Sequence, residues 1–381
     1  MATVTRLTTR EHHEHDGLVS LPSDGSQTLI PLTRLYHPPS PRKQVRQCLY
    51  PHLEQLGAEK LIKGIVNETA SMCTYLYPNA DDEGIFLATG FMTVQFVNEV
   101  IFDSAAILEN IQDSKLRDTP QRLADGIVCT ARIMENPQAY EECCEIISGL
   151  ETDPFLLGAI HELSTRVHIR GRRINEERFE VWLAKSCAAM KDFGEPHALI
   201  YSEAKNMTVE EYADHKLRNS GMIYTVLFVE MAMGTFLSEE HNAIPQIRQM
   251  QQHCEKIGSL LNEIFSYEKE TFLENTNNLL AVLVRTEKIS LYEAARRVAA
   301  MSQRHAQEVE RIRIEIEAEC DDDSEEDTGL GTYVADMELF GAACWFWQLQ
   351  GTKRYSSKTS PFVELRLADG SSEVEADKGA R

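Results

Sequence analysis

From about residue 44 to residue 316 apolar positions recur three and four apart, and the strict alternation of a β-strand is nearly absent. That pattern predicts one helix after another. The breaks fall at Tyr77-Pro78-Asn79, near Pro120, near Pro137, at Asp153-Pro154, at Gly194-Glu195-Pro196 and near Pro245. They separate segments of about 15 to 30 residues, the lengths a bundle of long helices requires. The chain contains no internal repeat, and the reading is an all-α, single-domain bundle.

The ends depart from this pattern. Residues 1–28 are polar, rich in Thr, Ser, Gly and His, and read as a disordered tail in which His12, His13 and His15 are solvated. Four prolines, Pro31, Pro38, Pro39 and Pro41, make residues 31–42 an extended strap. The domain proper is expected over 29–355. Within it, 320–331 (CDDDSEEDTGLG) reads as an acidic, glycine-ended loop and 333–350 as a strongly apolar helix. Residues 356–381 read as a polar C-terminal tail.

One segment, about 84 to 110, is apolar nearly all round and is therefore expected inside the bundle. Burying its Gln95, Asn98, Glu99 and Asp103 costs several kcal/mol unless each finds a partner or a metal. That cost is the first sign of a site.

Composition narrows the function classes. Hydrophobic residues make up 43% of the 381, enough for a sizeable core, and no apolar run is long enough for a membrane span. The first residues lack the apolar stretch of a secretory signal. The nine cysteines are irregularly spaced without a CxxC pair, which suggests reduced, mostly buried thiols in a cytoplasmic protein. A net charge of −22 argues against nucleic acid or an anionic membrane as partner. It also means that any anionic substrate has to be drawn in by metal ions and a few placed cations.

Asn262, Ser266 and Glu270 in LLNEIFSYEKE stand at i, i+4 and i+8. On a helix they form one line, with about 6 Å between successive residues. An amide oxygen, a hydroxyl and a carboxylate are hard ligands suited to Mg²⁺. Lys269 sits beside the last of them, within reach of a phosphate bound there.

LLNEIFSYEKE resembles the second metal-binding motif of microbial class I terpene synthases, with Glu263 where most members have Asp. Three further segments are similar to that family in the expected order. YLYPNADDEGIFLATGFMTVQFVNEVIFD resembles the stretch leading into its aspartate-rich motif, MTVEEYADHKLRNSGMI the segment carrying its diphosphate-sensing arginine, and WQLQGTKRY its closing Trp…Arg-Tyr. The resemblance covers roughly residues 45–355.

It implies helices around a central active-site cavity and two or three Mg²⁺ ions, with Mn²⁺ as substitute. Its metal ligands would be Glu99, Asp103, Asn262, Ser266 and Glu270. Its diphosphate contacts would be Lys269, Arg354, Tyr355 and one of Lys216 or Arg218. The aspartate-rich motif is altered, because Val100 replaces its second acid. Lys216 stands at the arginine position, and Asn219 and Ser220 follow at the linker and effector positions. Asp81-Asp82-Glu83 reads as a helix cap and Asp321-Asp322-Asp323 as solvated charge. Phe91, Phe96, Phe265 and Trp345 are candidate pocket aromatics.

The implied activity is ionisation of an isoprenyl diphosphate, farnesyl before geranylgeranyl, and cyclisation of the cation to a terpene. Chain-elongating synthases normally carry two aspartate-rich motifs, and the Asn-Ser-Glu array argues against them. A non-catalytic relative that binds the same ligand is the alternative from another class. A homodimer is common in such folds but has no support in the sequence.

Overall fold

The computed structural model describes residues 42–53, 59–103, 120–148, 155–197, 207–272, 278–319 and 325–366. The tail at 1–28 and nearly all of the proline strap lie outside them, as does Asp321-Asp322-Asp323. Among the described residues the protein is predominantly helical, and its β-structure is confined to isolated bridges in the C-terminal segment, one of them between Ser357 and Arg366.

The α-helices are α1 (Arg42–Leu53), α2 (Glu59–Leu76), α3 (Asp82–Asp103), α4 (Pro120–Glu135), α5 (Tyr140–Ile146), α6 (Leu157–His197) and α7 (Val209–Asn219). They continue with α8 (Met222–Met233), α9 (Glu239–Ala243), α10 (Pro245–Phe265), α11 (Tyr267–Phe272), α12 (Leu279–Glu287), α13 (Leu291–Glu319) and α14 (Glu325–Phe346). A π-helical turn, Trp347–Gly351, extends α14.

The punctuation follows local chemistry. Pro245 stands at the first position of α10, where its missing N–H costs nothing. Asp81 accepts a hydrogen bond from the Gly84 N–H (2.7 Å), as a cap at the start of α3 should. The same acidic turn meets buried Arg170, whose guanidinium contacts Asp81 (2.9 Å) and Glu83 (3.0 Å) and donates to the carbonyls of Met231 (3.2 Å) and Ala232 (3.3 Å). Burial works against the Asp81 charge, yet Arg170 holds the carboxyl below its ordinary value. Asp81 thus begins α3, and through Arg170 the acidic turn is tied to the last carbonyls of α8.

Helix α3 is interior as expected, with Ile85, Leu87, Ala88 and Met92 buried against α2, α6 and α8. Gly84 permits the closest approach: a Cβ there would lie 1.9 Å from the Ala232 carbonyl oxygen. Helix α10 packs on α8, α13 and α14 through Met250, Cys254, Ile257 and Leu261.

Three readings need correction. Helix α6 is interrupted at Asn175 (φ −162°, ψ 105°), which no proline or glycine announces. Its side chain accepts from the Arg178 N–H (3.0 Å), so the helix restarts on an asparagine cap. Residues 325–331, assigned to the acidic loop, already belong to α14. Residues 356–366, assigned to the polar tail, are packed, with Phe362 and Leu365 buried.

The eight described cysteines are all free and seven are buried. Burial pushes the thiols of Cys48, Cys73, Cys129 and Cys187 up to about 12, so they stay protonated. No helix of the described residues is long and apolar enough to cross a membrane.

Candidate functional site

The site is built where α10 passes into α11. The Ser266 N–H donates to the Asn262 carbonyl (2.8 Å) and the Glu270 N–H to the Ser266 carbonyl (3.0 Å). The helical repeat therefore carries across the junction and keeps Asn262, Ser266 and Glu270 in one line, as their spacing predicts. Ser266 Oγ donates to the Asn262 carbonyl (2.7 Å) and retains its lone pairs. Asn262 Nδ2 donates to the Tyr355 hydroxyl (3.1 Å), which leaves the amide oxygen as acceptor. Tyr355, 93 residues away in sequence, is thus brought onto the motif.

Beneath this line lies a charged centre that sequence reasoning did not foresee. Glu263 is wholly buried. Its Oε1 faces the Lys216 ammonium at 2.6 Å, and its Oε2 accepts from the Tyr212 hydroxyl (3.1 Å) and from the Leu279 N–H. Asn278 caps α12 and donates to both the Glu263 carbonyl and Glu270 Oε2, each at 2.8 Å. Lys216 also approaches Glu270 Oε1, at 3.8 Å.

Burial pushes the Glu270 carboxyl up to about 7; Lys216 opposes the shift and the Glu263 charge adds to it. For Lys216 burial acts the other way, but the two carboxylates outweigh it and hold the ammonium well above its ordinary value. One sequence signal pointed here: Glu263 sits among Leu260, Leu261 and Ile264, and an acid at a buried register demands a partner.

Aromatic side chains border the line. Phe265 stacks edge-on against Trp345 (5.2 Å between centroids) and lies 6.3 Å from Tyr355. Trp347 meets Tyr355 at 6.2 Å and Phe96 at 6.5 Å, while Arg354 lies over the Phe96 ring at 4.7 Å. Phe96 stands three residues before Glu99 on α3, so this chain of rings links the two candidate motifs. The π-helical turn leading to Arg354 and Tyr355 carries Trp347, and Ser71 Oγ donates to its Gly351 carbonyl (2.7 Å).

The C-terminal segment adds a clasp on the outer side. Ser357 Oγ (2.6 Å) and Thr359 Oγ1 (2.5 Å) both donate to Glu268 on α11. Phe362 packs edge-on against Tyr267, 6.4 Å away.

Of the residues singled out in the sequence, Asn262, Ser266, Glu270, Lys216 and Tyr355 come together directly. Arg354 joins them through Phe96, and Lys269 is near enough that its charge acts on Glu270. Glu99 and Asp103 fall on the last turns of α3 and Arg218 on α7, but their side chains lie outside the described residues. Among the described residues no three His, Cys, Asp or Glu side chains form a metal cluster. The described part of the candidate metal site is an amide oxygen, a hydroxyl and one carboxylate, which fits a hard divalent ion.

Comparison with known proteins agrees with this geometry. Residues 170–308 match the sequence model of terpene synthase family 2, C-terminal metal binding, a range that includes Lys216 and the Asn262-Ser266-Glu270 line. A macrophomene synthase of Macrophomina phaseolina (strain MS6) is 31% identical over 115 residues, 28% of this chain. The aligned stretch spans 16% of that relative's length. Among solved structures, germacradien-4-ol synthase from Streptomyces citricolor superposes with a TM-score of 0.59 at 18% identity, covering 88% of this chain and 97% of that one. A variant of cucumene synthase superposes with a TM-score of 0.60 at 17% identity, covering 81% and 95%.

Proposed function

We propose, from the premise that this chain has the class I terpene synthase fold with a family 2 metal-binding segment, that it ionises an isoprenyl diphosphate and cyclises the resulting carbocation. The observation that carries this reading is the convergence of the Asn262-Ser266-Glu270 line, Lys216 and Tyr355 beside a wall of aromatic rings. Farnesyl diphosphate is the proposed substrate, and the product a sesquiterpene released with diphosphate.

Asn262, Ser266 and Glu270 would hold Mg²⁺, together with Glu99 and Asp103 of α3. When bound, such ions neutralise the diphosphate and stabilise the charge that grows on it as the C–O bond breaks. Lys269, Arg354, Tyr355 and one of Lys216 or Arg218 would supply the remaining donors, and their effect is greatest on the leaving anion. The faces of Phe96, Phe265, Trp345 and Trp347 offer negative potential to a carbocation without a nucleophile to quench it. The C-terminal segment, fastened to α11 through Glu268, keeps Tyr355 at the motif.

The experiment is incubation of the purified protein with C10, C15 and C20 isoprenyl diphosphates in Mg²⁺ or EDTA, with volatile products read by gas chromatography and mass spectrometry. A cyclic hydrocarbon from the C15 substrate, absent in EDTA and in Glu270→Ala, is the expected result. Product only from the C20 substrate would make the protein a diterpene synthase. No product from a folded protein that still binds Mg²⁺-diphosphate would make it a non-catalytic relative.

A further inference from the structure

We infer that Glu263 is a positioning residue, a fixed post that holds the Lys216 ammonium against the metal-ligand line; the inference rests on the diphosphate reading above. Lys216 has two carboxylates within reach, and they are not equivalent. It is 2.6 Å from Glu263 and 3.8 Å from Glu270. Glu263 has no freedom to follow a moving partner: it is 0% exposed, and Tyr212 and the Leu279 N–H clamp its second oxygen. Glu270 keeps 22% of its side chain exposed and continues the line of Asn262 and Ser266.

A carboxylate that ligates a metal ion gives up charge to it, and its hold on a neighbouring ammonium weakens. Glu263 lies below the line and has no such competitor. It is therefore the group that keeps Lys216 in place while Glu270 is engaged elsewhere. Asn278 braces Glu270 separately, because its amide group donates to the main-chain carbonyl of Glu263 and to Glu270 Oε2 and does not touch the Glu263 carboxylate. Losing the post would displace the Lys216 phosphate contact while Asn278 keeps Glu270 in place.

The pair also has a length to satisfy. Glu263→Asp shortens it by about 1.5 Å, one carbon–carbon bond, and Lys216→Arg lengthens it by a similar amount. The double variant restores both total reach and charge. A salt bridge that merely staples α7 to α10 would show these effects in stability alone.

The test uses the full chain as wild type, Glu263→Asp, Lys216→Arg and the double variant. Inorganic diphosphate is titrated calorimetrically at saturating Mg²⁺, melting temperature is read without ligand, and kcat and KM for farnesyl diphosphate are measured. We expect Glu263→Asp to weaken Mg²⁺-diphosphate binding about tenfold or more, and the double variant to return to within about threefold of wild type. An unchanged affinity beside a lowered melting temperature would reduce the pair to a staple and overturn the inference. Losses that simply multiply in the double variant would overturn it too. Should Glu263→Asp fail to fold, the double variant must still bind more tightly than Lys216→Arg alone. A wild type that binds Mg²⁺-diphosphate without forming product sinks the synthase reading and leaves this one open to the same comparison. A wild type that binds none sinks both.

Discussion

On the proposed function, Glu270 is the residue on which acid–base chemistry and metal binding would meet. A metal takes the ionised carboxylate, and this one titrates at about 7 rather than 4.5 because burial outweighs the help of Lys216. Protons therefore compete below that pH: the affinity for Mg²⁺ in the presence of diphosphate is expected to fall about tenfold per unit below pH 7 and to level off above it. In Glu270→Gln binding should be weak and flat across the same range, which calorimetry at pH 5.5, 6.5 and 7.5 checks. Stability has the opposite sign. A folded value above the unfolded one means that the metal-free fold loses stability as pH rises from 4.5 through 7. In EDTA at pH 8, Glu270→Gln should then be more stable than wild type, by an order of 1–3 kcal/mol in denaturant unfolding, with the gap closing by pH 4.5.

At the scale of elements, Gly64 of α2 and Gly84 of α3 separate propensity from packing. Gly64 lies in α2 with nothing within 4 Å of a prospective Cβ. Gly64→Ala should stabilise by about 0.5–1 kcal/mol through helix propensity alone. Gly84 lies where α3 crosses α8, and its Cβ would strike the Ala232 carbonyl oxygen at 1.9 Å, a backbone atom that cannot turn aside. Gly84→Ala should cost roughly 1–3 kcal/mol, since the two helices must move apart. Chemical denaturation of both variants tests the contrast, and equal effects would mean that the crossing is looser than described. The element boundary read best from the sequence is the one that proline set at Pro245, the first position of α10 after its cap Ile244, whereas Gly194-Glu195-Pro196, read as a break, is still helical in α6. The restart of α6 at Asn175 escaped notice because an asparagine cap followed by Glu176 and Glu177 is a start signal, and it fell within a pattern already read as helix.

For the whole molecule, charge decides what free diphosphate does. A protein of net charge −22 repels an anion, and most of its described arginines are already paired with carboxylates on their own helices or neighbours. In EDTA, binding of inorganic diphosphate should be no tighter than about 1 mM, some 4 kcal/mol, and should appear only when Mg²⁺ is restored. Isothermal titration at low ionic strength is the sensitive form of this test, because screening there is least. Tight binding without metal would mean that the protein's own cations suffice.

The sequence by itself determined the helical class, the breaks at Tyr77-Pro78-Asn79, near Pro137 and at Pro245, and the line of Asn262, Ser266 and Glu270. Each of these depends on short-range periodicity, on proline, or on spacings of four residues. It did not determine that Lys216 faces Glu263, that Asn278 joins Glu263 to Glu270, or that Tyr355 returns to Asn262. These contacts span 8 to 93 residues and arise only when α7, α10, α12 and the C-terminal segment pack together. Nor did it show that residues 356–366 are held, because a polar stretch is secured by two buried side chains and hydrogen bonds to Glu268. Local patterning chose the helices, and tertiary packing chose the partners of each buried charge, because the cost of an unpaired charge is felt only once water has been excluded.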